Sequence, residues 1–200
     1  MVKIAIDGNI GCGKSTVIKH LGNKGYTVYP EDIESWGDWL NMYYDNPKKN
    51  ALGFQMTVLL SHLKQQKQKN TGDIIYERCS HTCNRIFGSL LLDDGILETH
   101  EYDLCKSFEK EFNNSVDVII YLQTTPEICK KRIQKRDRSC ESSINIDYLK
   151  NLHNKYESVY KDTTVDGKKI IIIDALQPTD IVLKEVLTHI NKLNTITIDV

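Results

Sequence analysis

Short, strongly apolar runs alternate along the chain with longer stretches in which apolar residues recur every three or four positions. Val2–Asp7, Tyr26–Tyr29, Asp73–Tyr76, Val116–Leu122 and Lys169–Asp174 have the length and composition of strands. In Ile74-Ile75, Val118-Ile119-Ile120 and Ile170–Ile173 the apolar residues are contiguous instead of alternating. A strand covered by helices on both faces reads this way, so the pattern predicts a parallel sheet. Lys14–Leu21, Ala51–Lys69, Glu101–Phe112, Pro126–Arg136 and Ile146–Tyr160 carry helical spacing, the last with Leu149, Leu152, Tyr156 and Val159 on one face. Pro126 suits a first helical turn, and Thr124-Thr125 are candidate caps before it. The β–α–β–α order predicts a doubly wound α/β fold with five parallel strands. No repeat, low-complexity tract or dividing linker interrupts residues 1–200, which predicts a single domain.

Composition narrows the classes. The 26 basic and 27 acidic residues nearly cancel, which argues against a protein that coats nucleic acid or a membrane surface. No apolar run is long enough to span a bilayer. Met1-Val2-Lys3-Ile4 enters a strand pattern directly, without the signature of a signal peptide or presequence, so a cytosolic protein is expected. The cysteines, at 12, 79, 83, 105, 129 and 140, form no C-x-x-C pair. They read as reduced thiols that pack like small hydrophobes, with Cys12 set apart by its place in a glycine-rich loop.

That loop, Gly8-Asn9-Ile10-Gly11-Cys12-Gly13-Lys14-Ser15-Thr16, fits G-x-x-x-x-G-K-[ST] between a strand and a helix. Its glycines let successive backbone N–H groups turn toward phosphates. The lysine reaches the β- and γ-phosphates, and the following hydroxyl ligates Mg²⁺. The helix N-terminus adds favourable partial charge. This is a nucleoside triphosphate site. A guanine-reading N-K-x-D is missing: Asn23-Lys24-Gly25-Tyr26 fails at its last position. Small-molecule kinases remain.

In open parallel sheets the chemistry gathers beyond the strand C-termini. Glu31-Asp32 follows strand two there, and Glu77-Arg78 follows strand three. Glu31 can accept the proton of an attacking hydroxyl, Glu77 can hold Mg²⁺ through its water shell, and Arg78 can orient the base or offset phosphoryl charge. Position alone equally suits solvated strand-end charges. Arg132 and Arg136 share a helical face with Arg138 just beyond, which beside a phosphate loop reads as an arginine lid over about 132–142. Without that loop it would read as a solvated basic face. Gln55 interrupts the apolar stripe of Ala51, Phe54, Val58 and Leu59. It either pairs with the polar edge of a nucleobase or bonds core backbone, and the sequence leaves both open.

As a group these residues resemble the deoxyribonucleoside kinase family, which includes deoxycytidine, deoxyguanosine, mitochondrial-type thymidine and insect multisubstrate kinases. The matching stretches are the phosphate loop, Glu31 through Trp36, Tyr43 through Lys49 with Phe54-Gln55, Glu77-Arg78, Ile120 through Leu122 with Pro126-Glu127, Arg132-x-x-x-Arg136-x-Arg138, and Tyr148-Leu149 through Leu152-His153. They follow the family's order and spacing over positions 1 to about 160. The resemblance implies a P-loop kinase fold, a homodimer, ATP with Mg²⁺, and phosphoryl transfer to the 5′-hydroxyl of a deoxynucleoside. Glu31 would be the general base with Arg78 as its partner. Lys14, Arg132, Arg136 and Arg138 would attend the phosphates, with Ser15 and Glu77 at the metal. Trp36, Phe54 and Phe87 would line the base pocket, and Gln55 would read the base. Tyr44 and Glu141 would hold the 3′-hydroxyl, Tyr44 also crowding out a 2′-hydroxyl.

Val58, His62 and Cys83 occupy the positions with which the family shapes the end of that pocket. Cys83 is small and leaves room for the 5-methyl of thymine, worth about 0.8 kcal/mol on burial. If His62 faces the pocket and not solvent, it limits depth against a second purine ring. A pyrimidine preference is expected, with thymidine accepted and deoxycytidine alongside it. The chain departs from the family in having Asp32 where Pro is usual, Cys79 where Ser is usual, Cys140-Glu141 in place of an acidic pair, and a short Leu90–Glu98 loop. The competing assignments are a thymidylate kinase, a purine-preferring deoxynucleoside kinase and a nucleotide switch. A zinc-containing thymidine kinase is disfavoured by the lack of paired C-x-x-C motifs.

Overall fold

The computed structural model describes residues 1–68, 72–111, 116–136 and 144–196. Strand β1 (Lys3–Asp7) sits inside a six-stranded sheet, flanked in parallel by β3 (Ile74–Glu77) and β4 (Val118–Gln123). β2 (Thr27–Tyr29) pairs with β3, and β6 (Lys168–Asp174) pairs with β4, both parallel. These are the five strands expected from the apolar runs. A sixth, β5 (Thr164–Val165), adds to the β6 edge antiparallel through a turn at Asp166-Gly167, making the sheet mixed. Two residues are too few for any periodicity to announce them.

Alternate residues of each central strand face opposite layers. Ile4, Ile6, Ile120 and Leu122 point into a core closed by α1 (Lys14–Asn23), α7 (Pro126–Arg136) and α9 (Thr179–Ile196), through Val17, Ile18, Ile133, Val186 and Ile190. Ala5, Tyr76, Ile119 and Tyr121 face a second core with Leu152, Tyr156 and Tyr160, on or just after α8 (Ile146–Val159). Both faces of the central strands β1, β3 and β4 are dry, which is why those strands are written without alternation, whereas Ile172 of β6 is 46% exposed despite its contiguous apolar run.

Several elements exceed the sequence expectation. A 3₁₀ turn (Ile33–Trp36) and α2 (Trp39–Asp45) lie ahead of α3 (Pro47–Gln66), and α9 closes the chain. After β3 the chain runs helically through α4 (Ser80–Thr82), a π-helical segment (Cys83–Gly88) and α5 (Ser89–Asp93), then enters α6 (Thr99–Glu111). No helix among the described residues is long and apolar enough to cross a membrane. The described cysteines, Cys12, Cys79, Cys83, Cys105 and Cys129, are all buried and free of disulfides.

One side chain joins these layers. Asp7 ends β1 with no exposed surface. Its Oδ1 accepts from the Gly8 N–H at 2.7 Å and from the Tyr156 hydroxyl at 2.9 Å. Its Oδ2 accepts from Thr82 at 2.5 Å and from Tyr160 at 3.0 Å. A single carboxylate thus ties β1 to the phosphate loop, to α4 and to the end of α8. In Asp7→Asn the amide nitrogen cannot accept, so the donors on that side lose their partner. The expected destabilisation is about 3 kcal/mol, read from the midpoint of a urea titration at unchanged slope. A loss below about 1 kcal/mol would show that these bonds carry little of the fold.

Candidate active site

A cavity of about 500 Å³ opens along the C-terminal side of the sheet. At one end lies the phosphate loop. Gly8 has φ 142° and Gly11 φ 82°, conformations that L side chains rarely adopt. A Cβ on Gly8 would lie 2.7 Å from both Cys12 Sγ and the Leu122 carbonyl, and one on Gly11 would lie 2.7 Å from the Cys129 carbonyl. Asn9 anchors the loop by donating to the Leu149 carbonyl at 2.9 Å and accepting from the Ile10 N–H at 2.8 Å. Gly13 precedes α1 and offers no side-chain cap, which leaves the N–H groups at the start of the helix, ahead of Thr16, to an anion. Lys14 Nζ folds back on the Gly8 and Asn9 carbonyls at 3.1 and 2.9 Å. The Ser15 hydroxyl donates to Glu77 at 2.7 Å, so two hard oxygen groups stand side by side that could hold a Mg²⁺ ion.

Midway along the cavity lies a buried ion pair. Arg78 Nη1 donates to both Glu31 oxygens, at 2.7 and 2.8 Å, with the two side chains 8% and 9% exposed. Arg78 holds φ 62°, a left-handed conformation costing about 1–2 kcal/mol. Its N–H bonds the Ile6 carbonyl at 3.0 Å, its Nε lies 4.0 Å from Asp7, and its guanidinium stands 4.9 Å over the Phe87 ring. The tethers at both ends of the side chain hold the backbone in this strained conformation. Burial acts to raise the Glu31 carboxyl, but the charges of Arg78 and Lys14 outweigh it and hold it below the usual glutamate value. For Arg78, burial opposes the charge, yet Glu31, Tyr156 and Asp7 push it well above the ordinary arginine value.

Beyond the ion pair the walls turn apolar and aromatic. Trp36 meets Phe54 edge-on at 5.7 Å and donates to Ser61 Oγ at 3.1 Å, while Tyr43 stacks on Phe54 at 5.0 Å. Val58, His62, Cys83, Phe87 and Gln55 complete this end. His62 is 2% exposed and faces the cavity, so the solvent-facing alternative is excluded. Burial lowers its pKa more than Glu31 raises it, and the ring is neutral near pH 7. Gln55 makes the bond to core backbone that one of its two readings expects, its Nε2 donating to the Cys83 carbonyl at 2.5 Å, and it also borders the cavity.

Arg132 lies at the phosphate end, donating to the carbonyls of Cys12 at 2.8 Å and Ala175 at 3.1 Å, with Arg136 nearby on the cavity wall. Tyr44 also lines the cavity. Arg138 and Glu141, like Cys140, lie outside the described residues. Sequence reasoning gave no site role to Tyr43 and Tyr148 beside Tyr44, although both stand in the stretches that carry the family resemblance, and it missed the wall formed by Ala175, Gln177, Thr179 and Val182, which sits in no motif. It also missed that Trp39 lies flat on α3: a Cβ on Gly53 would come within 2.2 Å of its ring. The Trp39 ring at the start of α2 therefore seats where α3 offers bare backbone.

Residues 4–195 match the family model for deoxynucleoside kinases. A protein of Invertebrate iridescent virus 6 named as a kinase is 36% identical over 195 residues, which cover 96% of this chain and 97% of that one. Human deoxycytidine kinase is 30% identical over 192 residues, 78% of this chain and 74% of the human one. Among solved structures, M. mycoides deoxyadenosine kinase with dCMP and dCDP bound superposes with a TM-score of 0.85 at 30% identity. The match covers 96% of this chain and all of the other.

The ion pair makes a pH prediction. Glu31 has a depressed pKa, so its carboxylate persists as pH falls through the ordinary glutamate range. Arg78→Leu keeps the burial and removes the largest opposing charge, so the Glu31 pKa rises. The acid limb of kcat/KM moves to higher pH, by about a unit or more, and Arg78→Lys moves it less. An acid limb unmoved in Arg78→Leu would mean that another group sets it.

Proposed function

Because the chain belongs to the deoxynucleoside kinase family, we propose that it transfers the γ-phosphate of ATP to the 5′-hydroxyl of a pyrimidine deoxynucleoside, thymidine or deoxycytidine, with Glu31 as general base. The observation that carries this reading is the placement of Glu31: an ionised, Arg78-clamped carboxylate between the phosphate loop and an aromatic pocket. A nucleoside stacked between Phe54 and Phe87 brings its 5′-hydroxyl to this carboxylate. Glu31 accepts the hydroxyl proton, the oxygen forms its bond to the γ-phosphorus, and the bond to the β–γ bridging oxygen breaks to release ADP. Lys14 exchanges its two loop carbonyls for phosphate oxygens. Ser15 and Glu77 would hold Mg²⁺, which when bound offsets charge between the β- and γ-phosphates.

Arg132 and Arg136, with Arg138 beyond them, form the lid over about 132–142 that meets charge developing in transfer. Tyr44 packs the sugar, with Glu141 on its 3′-hydroxyl. Gln55 meets the base edge, while Val58, His62 and Cys83 bound its depth. The buried, neutral ring of His62 opposes a second purine ring, and the small Cys83 admits a 5-methyl group. The proposal extends to one domain over residues 1–200, a homodimer and a cytosolic setting.

Glu31→Gln preserves shape and removes the base. Its kcat falls by roughly two orders of magnitude while nucleoside affinity changes little. A loss confined to KM would make Glu31 a binding residue. Base preference is read separately, by competition among the four deoxynucleosides and thymidine monophosphate in an assay of ADP release. Thymidine and deoxycytidine should show the higher kcat/KM. A purine in first place would sink the pocket reading and leave the kinase intact, whereas thymidine monophosphate in first place would mean a thymidylate kinase.

A further inference from the structure

Most polar groups at the apolar end of the cavity already have partners within the protein. Trp36 Nε1 donates to Ser61 Oγ at 3.1 Å, and Ser61 Oγ donates in turn to the Val58 carbonyl at 2.8 Å. The Cys83 thiol lies 3.8 Å from the Gln55 carbonyl, its acceptor, and burial keeps it protonated by pushing its pKa well above the usual thiol value. His62 differs. Its side chain is buried and borders the cavity, yet no described residue hydrogen-bonds its ring. The charged groups that face it are Glu31, Arg78 and Asp7, and they act on it only through space. Glu31 and Arg78 are bound to each other, and Asp7 is taken by its four donors. Burial outweighs the two carboxylates and keeps the ring neutral. A neutral imidazole carries one N–H donor and one lone-pair acceptor. Here both are idle inside the protein, where buried polar groups are as a rule paired, and the cavity is the direction from which a partner can come.

We propose that the pocket selects pyrimidine deoxynucleosides whose 5-substituent carries a hydroxyl, such as 5-hydroxymethyl-2′-deoxyuridine and its cytosine counterpart, and that His62 is the residue that reads this hydroxyl. The proposal rests on the reading that Val58, His62 and Cys83 surround the 5-position of a bound pyrimidine. Val58 and His62 are one turn apart on α3 and share a face, and Cys83 packs in one cluster with Val58. A 5-methyl group fills the room beside the small Cys83 but leaves both imidazole groups without a partner. A 5-hydroxymethyl group reaches into the same room with an oxygen that donates and accepts. It therefore satisfies whichever ring nitrogen faces it, and neither tautomer has to be set in advance. The reacting group is still the 5′-hydroxyl of the sugar. The hydroxyl on the base serves recognition alone and receives no phosphate.

The test sets 5-hydroxymethyl-2′-deoxyuridine against 5-ethyl-2′-deoxyuridine, which has nearly the same size and shape with a methyl in place of the hydroxyl. Wild-type kcat/KM should favour the hydroxymethyl substrate by about tenfold. His62→Leu keeps most of the bulk and removes both nitrogens, so the ratio should fall to about one or below it. Because the ratio is taken within each protein, a general loss of activity in the variant cancels. His62→Met serves in the same way if His62→Leu does not fold. A wild-type ratio near one overturns the proposal, and that comparison needs no variant at all. A tenfold ratio that survives the loss of the imidazole overturns it as well, because another group then reads the hydroxyl. The two levels of the argument fail differently. Turnover of thymidine with no preference between the two analogues removes this inference and leaves the kinase reading in place. No turnover of thymidine, deoxycytidine or either analogue removes the pyrimidine kinase reading itself.

Discussion

A charged group with no exposed surface is tolerable only if the fold supplies what water would have supplied, and Asp7 sets that condition for this molecule. Its acceptors are met by donors from the phosphate loop, α4, and the end of α8, some of them about 75 and 150 residues away in sequence. An unpartnered carboxylate there would cost several kcal/mol. The long-range packing is therefore coupled: moving α8 or the end of α4 strips bonds from the carboxylate whose other partners shape the phosphate loop. The dry core on either face supplies most of the driving force, but this group fixes which arrangement of the layers is compatible with a folded loop.

Arg78 extends the same logic to the site. Its backbone is bound to β1, its side chain reaches Glu31 in one direction and approaches Asp7 in the other, and Phe87 covers its face. The left-handed conformation is the local cost of aiming a buried guanidinium back across the strand ends. Glu31 sits on a connection with little regular structure, so the arginine does for it what a helix or strand would otherwise do.

What could be read in advance followed the physics of each signal. Contiguous β-branched runs reported strands with two dry faces, and the phosphate loop reported itself because close backbone approach admits few residue types. Glu31, Arg78 and Gln55 were legible as candidates but carried open alternatives, since nothing local distinguishes a solvated charge from a buried one. Asp7 illustrates the limit: a polar residue closing a strand looks solvated until Thr82, Tyr156 and Tyr160 are seen to converge on it. The π-helical segment at Cys83–Gly88 was equally hidden. Cys83 and Phe87, four residues apart, share a face in an ordinary helix as well, but no 3.6-residue period announces the wider turn between them. α2 is short and rich in polar and aromatic residues, so it carries no apolar stripe.

Trp39 and Gly53 form a contact in which one partner is an absence. A glycine inside α3 costs about 1 kcal/mol against alanine, and what it returns is a flat patch on which the indole rests. Each residue makes sense only given the other. Drift at position 53 toward any side chain obliges position 39 to shrink or α2 to shift, and a smaller residue at 39 removes the reason for glycine at 53. Across descendants of a common ancestor, the two sites should therefore inherit change as a pair, an evolutionary linkage between the start of α2 and the middle of α3.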